Sequence, residues 1–192
     1  MLKAGTDERK TVLKTIRISD SLASSLQQEA ADEGTTVNAD INSILNRHFT
    51  WDKKVKEFGF VTIPKLTFMS VIDGLDDETL ARIGRQVVPA MFEEMAQLWF
   101  QESTPEKILE AISTRFKFDA LIRVSISKEE DLYTVVLRHD LGPKWSILSE
   151  SAARELVKRF LHAEPQVSRG ESVVTVRFKL KPRISPSDRN KT

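Results

Sequence analysis

The chain has 192 residues, 40% hydrophobic and 30% charged, with a formal net charge of +1; this permits one ordinary domain or two small ones and does not by itself argue for a polyanionic partner. It contains no cysteine, which excludes disulfides, zinc ribbons, iron–sulfur centres and thiol nucleophiles and fits a reducing compartment. Its apolar runs, the longest at 87–88 and 98–100, fall far short of the roughly 20 residues of a membrane span and no apolar signal core follows the N-terminus, so the expectation is a soluble, cytoplasmic protein.

Charge is unevenly distributed. The first 18 residues carry Lys3, Arg9, Lys10, Lys14 and Arg17 against Asp7 and Glu8, a short basic arm suited to phosphate contact. Residues 11–18 alternate: Val12, Ile16 and Ile18 share one face, interrupted by Lys14, and Leu13, Thr15 and Arg17 share the other. Alternation with β-branched residues predicts a strand. A lone strand is not stable and none follows nearby.

Ser19 is placed to cap a helix with Asp20 in its first turn. Leu22, Leu26 and Ala30 then recur at helical spacing, with Ala23 beside them, and Gly34 supplies a left-handed stop. Thr36 caps a second helix whose stripe of Val37, Ile41, Ile44, Leu45, His48 and Phe49 runs on through Trp51, Val55 and Phe58 to Gly59. Residues 60–64 read as an extended linker and 66–72 as a helical turn or two broken by Gly74. A helix over 76–86 is capped by Asp76. The Val88-Pro89 step predicts a boundary, with a new helix over 89–100 that has proline in its permissive first turn. Thr104-Pro105 repeats that signature for a helix to about residue 116.

The pattern changes near Phe118. Residues 121–127 and 132–139 alternate and are joined by a charged turn, which predicts a hairpin. Gly142-Pro143 leads into a helix carrying Trp145, Leu148, Ala152, Leu156 and Phe160. Residues 173–180 form a strong final strand, preceded by a short one at 166–167. The polar end of the chain, with Pro182 and Pro186, is expected to be disordered. The expected class is α+β. Four parts are anticipated: an N-terminal module over 1–58, a helical region over 59–117, a small α+β domain over 118–181 and a tail over 182–192.

The stretch from Lys14 to Leu22, followed by Gly34-Thr-Thr-Val-Asn-Ala-Asp-Ile, resembles the ribbon-helix-helix superfamily of repressors and antitoxins over residues 10–50. The resemblance implies an intertwined homodimer in which two copies of the 11–18 strand pair antiparallel and four helices share a core. It further implies that the two-stranded ribbon enters the major groove of double-stranded DNA. Leu13, Thr15 and Arg17 match the base-reading positions. Thr36, Val37 and Asn38, at the start of the second helix, match the phosphate anchor, where free backbone N–H groups attract an anion. Lys10 and Lys14 are candidates for further phosphate contacts. Asp40 departs from the pattern: it stands where the family has an apolar residue, and a carboxylate there must reach water or find a partner.

The segments from Trp51 to Phe60 and from Leu137 to Ser146 resemble parts of uncharacterised archaeal regulators in which a ribbon-helix-helix start precedes an output-type domain. His139-Asp140 resembles the metal-binding pair of phosphohydrolases, but the only other histidines are His48 and His162, so no metal is expected, and His139 should end a strand. Leu141-Gly142-Pro143-Lys144 is not a phosphate loop, having no Gly-Lys-Ser/Thr ending. No nucleophile has an evident base, so neither catalysis nor a cofactor is expected. The leading expectation is a sequence-specific transcriptional regulator acting as a homodimer or higher oligomer. Two alternatives stand beside it: an antitoxin-type protein that masks a partner protein, and a sensor whose C-terminal domain takes a small-molecule effector. A closed apolar pocket in that domain would favour the sensor.

Overall fold

The computed structural model describes residues 11–180. The basic arm with Lys10, and the tail expected over 182–192, lie outside the described residues. The chain divides into two compact units, Met1–Asn46 and Arg47–Thr192. The N-terminal module had been expected to run on to residue 58.

In the first unit, α1 (Asp20–Glu33) begins where Ser19 Oγ accepts the Leu22 N–H at 3.3 Å. It ends on Gly34, whose φ of 65° places the Gly34 N–H on the carbonyls of Ala30 and Ala31. A second cap follows at once: Thr36 Oγ1 accepts the Ala39 N–H at 3.2 Å and opens α2 (Val37–Arg47). The expected order of cap, helix, glycine, cap and helix is therefore present. The strand expected over 11–18 is not: these residues pair with nothing among the described residues and every one is exposed. A β-ladder needs a neighbour, and the described residues offer none near the segment.

The helical path continues past α2 through one π-type turn, His48–Asp52, into α3 (Lys53–Phe58). After an extended stretch come α4 (Lys65–Asp73), α5 (Asp77–Phe100) and α6 (Pro105–Lys117). Asp76 caps α5 by accepting the Thr79 N–H at 2.8 Å and the Thr79 hydroxyl at 2.9 Å. These same bonds hold its carboxyl below the ordinary value. The boundary expected at Val88-Pro89 does not occur. α5 runs unbroken through Pro89 for 24 residues. Proline removes one backbone hydrogen bond from a helix interior. Here Leu80, Gly84, Pro89, Phe92, Met95 and Ala96 are all buried, so packing along the helix outweighs the local break.

The second unit ends in a four-stranded antiparallel sheet of order β1-β2-β4-β3, made of β1 (Ile122–Glu129), β2 (Leu132–His139), β3 (Gln166–Arg169) and β4 (Val173–Lys179). The anticipated hairpin is β1–β2, closed by Glu130 and Asp131 with Glu130 at a φ of 53°. Between β2 and β3 runs α7 (Gly142–Leu161), packed chiefly against α5 and also against β3 and β4. The α5–α7 approach is close at Gly84: a Cβ there would lie 2.4 Å from the Leu148 carbonyl oxygen and 2.9 Å from Ser151 Cβ. The sum is a mixed α+β protein, with helices on one face of the sheet. No helix among the described residues is long and apolar enough to cross a membrane.

Candidate nucleic-acid face and an apolar cavity

Within the first unit, the matched base-reading residues Leu13, Thr15 and Arg17 are all exposed, Leu13 at 96%. Thr36 and Asn38 are exposed at the N-terminus of α2 and Val37 is half-buried. Lys14 is exposed as well. The apolar face of the same segment is equally uncovered: Val12 is 76% exposed, Ile16 59% and Ile18 41%, and Leu22, Ile44 and Leu45 are each about half exposed. Only Leu26, Ala30 and Asp40 are buried among residues 11–46. One chain therefore buries very little of the unit's apolar surface. Asp40 is buried with its Oδ2 lacking a hydrogen-bond partner among the described residues. A carboxylate thus stays inside without full compensation among the described residues.

The second unit holds a feature that the sequence pattern did not reveal. Its buried side chains fall into three clusters. Phe92, Met95, Ala96, Ile108, Ala111 and Phe160 form one. Val157, Ala163, Val174, Val176 and Phe178 form another. Ile72, Leu80 and Leu148 form the third. Members of all three line one cavity of about 460 Å³, so the cavity sits where a single core would otherwise close.

The sheet supplies one wall. Antiparallel register places Val124 opposite Leu137 and Leu137 opposite Val174. The next inward-facing row sets Ile126 opposite Val135 and Val135 opposite Val176. All six side chains line the cavity. They alternate with outward polar residues such as Ser125, Arg123, Arg138 and Arg177 because strand side chains have a period of two. α4, α5, α6 and α7 supply the remaining walls through residues such as Phe68, Met91, Ile112 and Leu156. The burial is graded. Val174 and Val176 on β4 are almost inaccessible, whereas Ile126 on the edge strand β1 is 66% exposed and Leu109 on α6 is 42% exposed. The cavity is therefore open on the β1 side, away from β3 and β4, on which α7 packs.

Polar groups in the lining are few. Arg115 is engaged: its guanidinium bonds the carboxylate of Asp119 and lies over the rings of Trp51 and Phe60, at 5.7 and 5.8 Å from their centroids. Ser149 and Trp145 stand one helical turn apart on α7, and both line the cavity. Trp145 Nε1 is shielded from solvent and has no acceptor among the described residues. The expectation that Trp145 packs inside holds in part: the ring is half-buried and meets Phe68 edge-on at 5.5 Å.

His139 ends β2, as expected, and Asp140 follows it in the connection to α7. Its ring is a structural pin. Nδ1 accepts the Leu141 N–H at 3.3 Å, which leaves the proton on Nε2, 2.8 Å from Ser146 Oγ. Ser146 in turn donates to the Glu171 carbonyl at 3.1 Å. Burial pushes the His139 pKa down, and the neighbouring Asp140 only partly opposes this. Asp140 itself is held below the ordinary carboxylate range by the Lys65 ammonium that bonds it. No group of three or more metal-ligating side chains gathers among the described residues. No known protein family, curated protein or solved structure matches the chain.

Proposed function

We propose that the protein is a sequence-specific DNA-binding transcriptional regulator that acts as a homodimer through its N-terminal module. The observation that carries this reading is the coexistence, in residues 11–46, of two capped helices joined at Gly34 with a preceding alternating segment whose apolar face is exposed in the single chain. A second copy would cover Val12, Ile16 and Ile18 by pairing the two segments antiparallel, and would leave Leu13, Thr15 and Arg17 pointing outward into the major groove. The free N–H groups at the start of α2, with Thr36 and Asn38 exposed beside them, suit a phosphate.

Selection of bound sequences from random DNA, followed by titration of variants, tests the reading. Arg17→Ala should cost roughly 1–3 kcal/mol per contact on the selected site and much less on scrambled DNA, because it removes a bidentate base contact. Lys10→Ala should weaken both DNAs alike and reduce the salt slope by about one ion per contact. Equal losses for Arg17→Ala on both DNAs would mean that the segment contacts only the backbone. No loss on either would make it a dimer seam and remove the proposed function.

The cavity of the second unit favours a second role beside the first, that of a small-molecule sensor. Its volume lies within the range of about 300–1,000 Å³ usual for ligand sites, and regular strands and long helices frame it. This supports a ligand-taking domain over an antitoxin-type segment that orders only on a partner.

A further inference from the structure

We infer that the cavity of the C-terminal unit binds a neutral amphiphile: a hydrocarbon chain or ring system bearing one hydrogen-bond acceptor, such as an alcohol, aldehyde or ester. The inference rests on the reading of this unit as a ligand-binding domain and does not depend on DNA binding. Three observations set the ligand's chemistry. The first is the wall itself, built from the inward rows Val124–Leu137–Val174 and Ile126–Val135–Val176 and from apolar helix faces. A space of about 460 Å³ so lined is a poor host for water, which needs two to four polar partners, and a good one for methylene groups. The second is charge. Arg115, the one charged residue among the described residues of the lining, is already committed to Asp119 and to two aromatic rings. An incoming carboxylate would have to compete with that pair and would meet the Asp119 charge, which disfavours an anionic ligand. The third is the polar point. Trp145 Nε1 finds no acceptor among the described residues but is sealed from the cavity as well as from solvent, so a ligand oxygen cannot reach it. Ser149, buried on α7 and in the lining, carries a hydroxyl that can donate one hydrogen bond to a ligand oxygen. Entry is from the β1 side, where Ile126 and Leu109 remain exposed.

The test uses the full chain with octane, the straight-chain 1-alkanols from 1-hexanol to 1-tetradecanol and the corresponding alkanoates at pH 8. Binding is read by calorimetry and by the rise in thermal midpoint. The alkanols should bind saturably, one per chain, with affinity rising roughly fourfold per methylene until the chain outgrows the cavity. Ser149→Ala should lower alkanol affinity about fivefold, the worth of one hydrogen bond, and leave octane unchanged. Val124→Trp, which fills the space from the half-buried position on β1, should abolish binding of both while the protein still unfolds cooperatively. If octane bound as well as 1-octanol, or Ser149→Ala weakened both equally, the single-acceptor ligand class would fall and the ligand-binding reading would survive. Alkanoates binding more tightly than alkanols would likewise overturn the neutral class. No saturable binding of any probe would overturn both, and so would sedimentation showing that Val124→Trp turns a dimer into a monomer, because the open side would then be a seam between copies.

Discussion

At the scale of single residues, His139 shows how a tempting motif resolves once its neighbours are known. Beside Asp140 it looks like half of a metal site, yet its two ring nitrogens are taken up by Leu141 N–H and Ser146 Oγ. The neutral ring fastens the end of β2 to the start of α7 and, through Ser146, to the turn before β4. Its pKa in the fold is lowered by burial, so the unfolded chain takes up the proton more readily. The contribution to stability is thus complete above the unfolded value of about 6.5 and is lost as pH falls through it toward the depressed value in the fold. Urea midpoints measured between pH 8 and pH 5 should decline, and His139→Gln, which keeps an N–H donor for Ser146 without titrating, should flatten that decline. An unchanged slope in the variant would place the titration elsewhere. The sequence did not announce this pin, because Ser146 and Glu171 become neighbours of His139 only through tertiary packing.

At the scale of elements, the sequence was most legible where the signal is local. Ser19, Thr36 and Asp76 each cap a helix as their positions suggested, since a cap needs only a side-chain oxygen and the next three residues. The alternating segments at 122–129 and 132–139 pair as a hairpin for a similar reason. Pro89 misled because its local cost is overridden by burial spread along the whole of α5. Gly84 gave no warning, since nothing in its own segment shows that α7 lies against it. Gly84→Ala would gain about 1 kcal/mol of helix propensity, but its new Cβ would lie 2.4 Å from the Leu148 carbonyl oxygen and 3.0 Å from Ala152 N, both backbone atoms. Net destabilisation of about 1–3 kcal/mol is expected from overpacking, measured by denaturant unfolding. A stabilised variant would show that α5 and α7 can separate at small cost.

At the scale of the whole molecule, the chain is two units with contrasting self-sufficiency. The second carries its own sheet, helices and buried clusters. The first leaves Val12, Ile16, Ile18, Leu22, Ile44 and Leu45 of its helical and alternating patterns exposed. Under the proposed dimer, Ile16→Asp should yield a monomeric, partly unfolded N-terminal unit in sedimentation and circular dichroism, with the C-terminal sheet retained. A dimer that persists through this substitution would exclude residues 11–18 as the seam. The α+β class, and the hairpin, helix and final strand of the second unit, could be read from periodicity. The cavity could not, because apolar residues that line a space and apolar residues that fill one look identical in a sequence. Val124, Leu137 and Val174 alternate as any core strand would, and only their register against one another and against the helices reveals the room between them.

The strand order β1-β2-β4-β3 also bears on how quickly the second unit can assemble. β1 with β2, and β3 with β4, are neighbours along the chain and can zip as separate hairpins. The seam between β2 and β4, which matches Leu132 with Lys179 and Arg138 with Val173, must wait until the intervening α7 has brought the chain back. Closing that long loop carries an entropic cost before any of its contacts forms, and topologies that rely on such distant pairings fold more slowly than those built from local ones. The β2–β4 seam is therefore the pairing of the sheet that carries the largest loop-closure cost. It also joins the two halves of the cavity wall, so the wall depends on contacts between segments far apart in the chain.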